Sequence, residues 1–164
     1  MQNEQQQIMK TLTKIIEDAD IAMLVTQQQD GRLVSRPMQL QKVEFDGDIW
    51  LLTRTDTDKY DEIHVHNQVN VSIAGKSYAS VSGTAEFVDD EARKKEFWNA
   101  AYTKIFDIDY TDPRLTLIKV HAESAEYWET GSMAKNVYNF VKKVVGNDEK
   151  VQPSKDINQS IDLP

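Results

Sequence analysis

The sequence predicts a mainly β, α+β domain: a small antiparallel barrel of about six short strands with peripheral helices. Three observations carry this reading. Short apolar or alternating runs recur along the chain and are divided by Asp-Gly and other glycine turns. Strands and helices do not alternate strictly, which argues against a doubly wound parallel sheet. The length, 164 residues, fits one domain that can close a core without staples.

Taken in order, residues 4–18 set Ile8, Leu12, Ile15 and Ile16 at helical spacing, an amphipathic helix packed by one face. Residues 21–26 are a short apolar strand that ends at the Asp30-Gly31 turn. Residues 33–45 return as a second strand. Pro37 interrupts it, and proline cannot donate to a ladder, so this strand is expected at an edge or bulged there. A second Asp-Gly turn, Asp46-Gly47, leads to a third strand over 49–53. Residues 58–67 read as a short helix with Thr57 or Asp58 as N-cap. Residues 69–74 and 78–88 alternate as the fourth and fifth strands. Residues 89–101 form a helix opened by acids, in keeping with its dipole. Residues 107–114 are a loop, and 115–128 a long last strand bent near Glu123–Ser124. Val137, Phe140, Val141, Val144 and Val145 line a closing helix that Gly146 ends. The domain is thus expected over 1–146, with a polar, disordered tail over 147–164.

Composition excludes several functions. The chain has 19 Lys+Arg and 27 Asp+Glu, a net charge of −8, and no cysteine. Without cysteine there is no disulfide framework, thiolate metal site or thiol nucleophile. The acidic balance argues against nucleic acid and anionic membrane as partners, since both need clustered Lys/Arg. No run approaches the roughly 20 apolar residues of a membrane span, and no secretory signal opens the chain, so a cytoplasmic protein is expected.

Motifs with chemistry are few. His64 and His66 are two apart on a helix and His121 is alone on a strand, so no metal site is expected. No Walker A, G-x-S-x-G or G-x-G-x-x-G pattern occurs. The informative stretch is 35–59. It holds Ser35-Arg36-Pro37-Met38 on the second strand, Leu52-Thr53-Arg54 at the end of the third, and Thr57-Asp58-Lys59 where a helix begins. A helix N-terminus presents free N–H groups and a positive dipole end to a phosphate, and a neighbouring Arg grips one through paired hydrogen bonds. The same residues also suit an ordinary charged strand beside a capped helix. Asp58 is expected to cap that helix. Trp50 and Trp98 read as core. Trp128 reads as a core anchor or as the wall of a flat-ligand pocket.

The ordered set is informative as a whole. The Asp-Gly turn and Ser35-Arg36-Pro37-Met38 come first, then Ile49-Trp50-Leu51-Leu52-Thr53, then Lys59 with Glu62-Ile63. Val69-Asn70-Val71-Ser72, residues 78–85 and residues 123–128 complete it. It resembles the pyridoxamine 5'-phosphate oxidase-like FMN-binding split barrels, and within them the bacterial general stress protein branch. The resemblance implies a six-stranded split barrel and a homodimer with FMN at the subunit interface. It implies that Arg36 and Lys59 hold the phosphate, with Ser35 and Thr57 as hydroxyl partners. Pro37, Met38, Leu52 and Thr53 would lie along the ribityl chain or isoalloxazine, and Ser80 and Trp128 would approach from the partner chain. The family's oxidases carry an Arg-containing substrate segment near the C-terminus. Here residues 129–135 contain no Arg, so pyridoxamine 5'-phosphate oxidation is not expected. The implied function is a flavin oxidoreductase. The alternatives are a non-catalytic flavin-binding or redox-sensing stress protein, or a barrel that uses haem or a deazaflavin.

Overall fold

The computed structural model describes residues 2–129 and 158–163. The elements run α1 (Gln2–Asp18), β1 (Ile21–Gln27), β2 (Leu33–Gln39), β3 (Asp48–Arg54), α2 (Asp58–Val65), β4 (Gln68–Ala74), β5 (Tyr78–Val88), α3 (Glu91–Phe97), α4 (Ala100–Phe106), β6 (Leu115–Trp128) and β7 (Asn158–Asp162). The main path of the sheet is β2-β1-β4-β5-β6-β3, with β7 added on β6. Each of these pairings is antiparallel. The two ends of the path, β2 and β3, meet through the single bridge Leu40↔Leu51. The mainly β split-barrel architecture expected from the sequence is therefore present, with a seventh strand attached.

Alternation explains the layers. On β1, Ala22, Leu24 and Thr26 turn inward while Ile21 and Met23 face out. Leu24, Leu51, Val71, Val81, Ile118 and Val120 fill the interior at 0% exposure. Each such burial contributes about 1.5–3 kcal/mol. Leu12 and Ile16 of α1 join that core. β3 is buried on both faces. Ile49 and Leu51 enter the barrel, whereas Trp50 and Leu52 pack outward against Phe97 of α3 and Tyr102 of α4. Trp50 is core, as expected; Trp98 stacks among Tyr102, Phe106 and Tyr110.

Four boundaries differ from expectation. β2 stops at Gln39, because beyond it the chain leaves β1 and crosses to β3 at Leu40 and Gln41. The expected helix over 89–101 is two helices, since Asn99 turns extended and caps α4 through its side chain, which accepts from Ala101 N–H. Thr57, not Asp58, is the N-cap of α2. Within the tail expected to lack structure, Asn158–Asp162 pairs with Ser124–Trp128. The helix expected over 137–145 lies outside the described residues. The expected bend in β6 is a bulge: Ser82 faces Ser124 and Gly83 faces Ala122, which leaves Glu123 unopposed.

Candidate functional site in the barrel seam

The open seam between β2 and β3 holds a groove of about 310 Å³. Its position follows from the sequence. Pro37 has no N–H to offer a second strand, so β2 pairs with β1 only and remains a path end. Past the Leu40↔Leu51 bridge the two strands are not laddered together. Pro37 and Met38 form one wall, Leu52 and Lys59 another, and Tyr102, Ile105 and Phe106 of α4 the third. Four of the residues expected to touch a ligand, Pro37, Met38, Leu52 and Lys59, are thus brought together.

Arg36 faces the other way from Pro37, toward the barrel's end, and its side chain is only 19% exposed. Its Nη1 donates to Thr26 Oγ1 at 2.5 Å and its Nη2 to Glu62 Oε2 at 3.0 Å. Thr26 Oγ1 also donates to Glu62 at 2.5 Å, so the three form one network. Two of the five guanidinium N–H groups are used there. Lys59, on the first turn of α2, lies within electrostatic reach of Arg36. Burial first and Arg36 second push the Lys59 ammonium below its ordinary pKa. Hydrogen bonds from Thr26 and Arg36, and the Arg36 charge, hold the Glu62 carboxyl low against the opposing effect of burial, the largest single influence.

The helix start is open to an anion. Thr57 takes the N-cap backbone position, yet its hydroxyl donates to Arg54 C=O at 2.9 Å and caps nothing. Thr53 is fully buried and does not line the groove; among the described residues its Oγ1 has no hydrogen-bond partner. The Lys59 ammonium in the lining, Arg36 behind it and a helix start without a side-chain cap suit an anionic ligand with a long apolar body.

The remaining expected residues lie elsewhere. Ser35 is exposed on the outer sheet face. Ser80 lies on that same face, where Asn70 Nδ2 donates to its Oγ at 2.9 Å. The ladder registers Pro37↔Met23↔Ser72↔Ser80 form one row across four strands of this face. Trp128 ends β6 opposite Tyr78 and Asn158 and does not line the groove. Conversely, Thr26, Glu62, Gln41 and the α4 residues were not anticipated. Asn99-Ala100-Ala101 is a readable helix start, and following that signal would have exposed α4.

An antiparallel sheet closed on itself except at a grooved seam defines a split barrel. The chain belongs to the pyridoxamine 5'-phosphate oxidase like family, whose model matches residues 7–151. It is 25% identical to a solved Jannaschia sp. CCS1 structure described as a general stress protein 26. That match has a TM-score of 0.70 and covers 96% of this chain and 99% of that one. The general stress protein 26 of Bacillus anthracis is 26% identical, with a TM-score of 0.65, covering 72% and 91%. A Xanthomonas citri structure described as a general stress FMN/FAD binding protein is 24% identical. Its TM-score is 0.64, with coverage of 75% and 89%. No curated protein matches the chain.

Proposed function

We propose that this chain binds FMN in the seam groove and serves as a flavin oxidoreductase of the general stress type, with the site completed by a second copy. The supporting observation is the groove itself. It joins Pro37, Met38, Leu52 and Lys59 in one cleft, with Arg36 electrostatically coupled to Lys59. Lys59 and the α2 start receive the phosphate, with the spare N–H groups of Arg36 behind them. Met38 and Leu52 offer apolar surface to the ring system, and Ser80 and Trp128 are assigned to the partner's site. The flavin supplies the electron transfer, while these residues bind it, orient it and exclude water. The family and the FMN/FAD binding protein of X. citri are consistent with this reading.

The protein as purified is expected to be yellow, with the absorption bands of oxidised flavin, and to release FMN on denaturation. A colourless chain that takes up no added FMN overturns the reading, and a haem or deazaflavin spectrum replaces the ligand. Mixing with NADH or NADPH in a stopped-flow instrument separates turnover from storage. Bleaching of the flavin bands supports the oxidoreductase; bands unchanged by either nucleotide favour a non-catalytic binder.

A further inference from the structure

We propose that the α4 end of the groove is a second ligand site, beside the flavin, for an uncharged aromatic molecule that carries a carbonyl group. The inference rests on the flavin reading for its neighbour, but its own chemistry comes from α4 and Gln41.

The polarity of the groove is one-sided. Among the described residues, Lys59 is the only charged one that lines it. A phosphate consumes that charge, so nothing in the lining is left to hold a charged substrate. The opposite wall is apolar by design of the helix: Tyr102, Ile105 and Phe106 fall at i, i+3 and i+4 and face the groove, whereas Thr103, Lys104 and Asp107 do not line it. Ile105 remains 65% exposed at the mouth, a large apolar side chain that the described residues leave uncovered.

The wall contains one polar device. The Tyr102 ring is buried, and its hydroxyl accepts a hydrogen bond from Gln41 Nε2 at 3.2 Å. Among the described residues the hydroxyl's own proton has only Gln41 Oε1 at 3.5 Å, a weak bond. The other contact of that amide nitrogen, to Gln39 C=O, is 3.4 Å. A donor left this poorly engaged in an apolar wall is available to a ligand carbonyl. Gln41 sits on the α4 side of the groove, bonded to Tyr102, whereas Lys59 belongs to α2. Two aromatic side chains and one available donor specify a flat, neutral carbonyl compound.

The test is calorimetric titration of the full FMN-loaded chain with 1,4-naphthoquinone and with 1,4-naphthoquinone-2-sulfonate. The chain has no cysteine, so the quinones meet no thiol. The neutral quinone is expected to bind at least tenfold tighter than the sulfonate. Tyr102→Phe should weaken it about tenfold. Ile105→Lys, at an exposed position, should shift the preference toward the sulfonate. Equal binding of the two quinones overturns the proposal. So does an indifferent Tyr102→Phe, or one-for-one displacement of FMN by quinone. If the chain binds no FMN, the flavin reading falls by itself. The quinone titration of the FMN-free chain then decides the α4 site: binding that depends on Tyr102 supports it, and no binding overturns it.

Discussion

At the residue scale, Lys59 is the most informative group. Burial and Arg36 lower its pKa from 10.5, so in the free protein it loses its proton earlier than an ordinary lysine. A bound phosphate dianion favours the ammonium and restores it. FMN affinity should therefore fall as pH rises through the window just below 10.5, with a proton taken up on binding. In that window the unfolded chain binds more protons than the folded one, so the free protein gains stability as the pH rises. Fluorescence titrations of FMN across about pH 8–10.5 check the first trend. Lys59→Arg should flatten it, because a guanidinium stays charged throughout; a slope that survives this change assigns the titration to another group. Glu62 is the second test. It holds Arg36 and Thr26 from α2, with side-chain exposures of 10% and 19% for the ion pair. Glu62→Ala should cost about 1–3 kcal/mol in denaturant unfolding and weaken FMN more than riboflavin, since only the phosphate meets Arg36. Equal loss for both flavins would mean that Glu62 supports the fold alone. That Arg36 and Lys59 come close together was legible in the sequence, since one lies on a strand and the other at a neighbouring helix start. Glu62 was not assigned a role, because which carboxylate meets Arg36 depends on how α2 packs across β1.

At the element scale, hairpins and edge strands were legible and packing-dependent elements were not. The Asp-Gly turns announce the β1–β2 and β2–β3 connections, with Gly31 at φ 87° and Gly47 at φ 111°. Pro37 announces the edge that becomes the seam. α4 was missed because the charged run of α3 masks the break at Asn99. β7 was missed because Asn158–Asp162 has one apolar residue, Ile161, and its pairing comes from the edge of β6. Two substitutions test this scale. At Gly83 a Cβ would lie 2.0 Å from the His121 carbonyl oxygen across the bulge. Gly83→Ala should destabilise at the upper end of the roughly 1–3 kcal/mol typical of overpacking, read from the urea midpoint. A neutral result would show that the β5–β6 bulge can open. Asn99→Ala removes the α4 cap and should cost about 1 kcal/mol. It should also weaken any groove ligand that touches Tyr102 or Phe106, while Ser82→Ala on the outer face leaves such binding unchanged.

At the scale of the whole molecule, the groove has walls on three sides, and the outer sheet face beside it exposes Ile21 (60%), Met23 (37%) and Leu33 (72%). Ile21 belongs to both, since it lines the groove and begins the outer face of β1. Pro37, Met23, Ser72 and Ser80 form one row on that face, so a second copy docked there would bring its own sheet to the rim of the groove. Burial of such apolar side chains favours self-association, and a ligand held by both copies strengthens it by mass action. Sedimentation should then give twice the 18.8 kDa chain mass, and FMN should shift a dilute sample toward that species. Met23→Glu places a charge in the middle of the row without entering the barrel core. It should move the dimer midpoint to higher protein concentration and lower FMN occupancy in parallel. Full FMN occupancy in a strictly monomeric Met23→Glu protein would show that one chain builds the whole flavin site, and the outer face would then need another partner to explain its exposed Leu33.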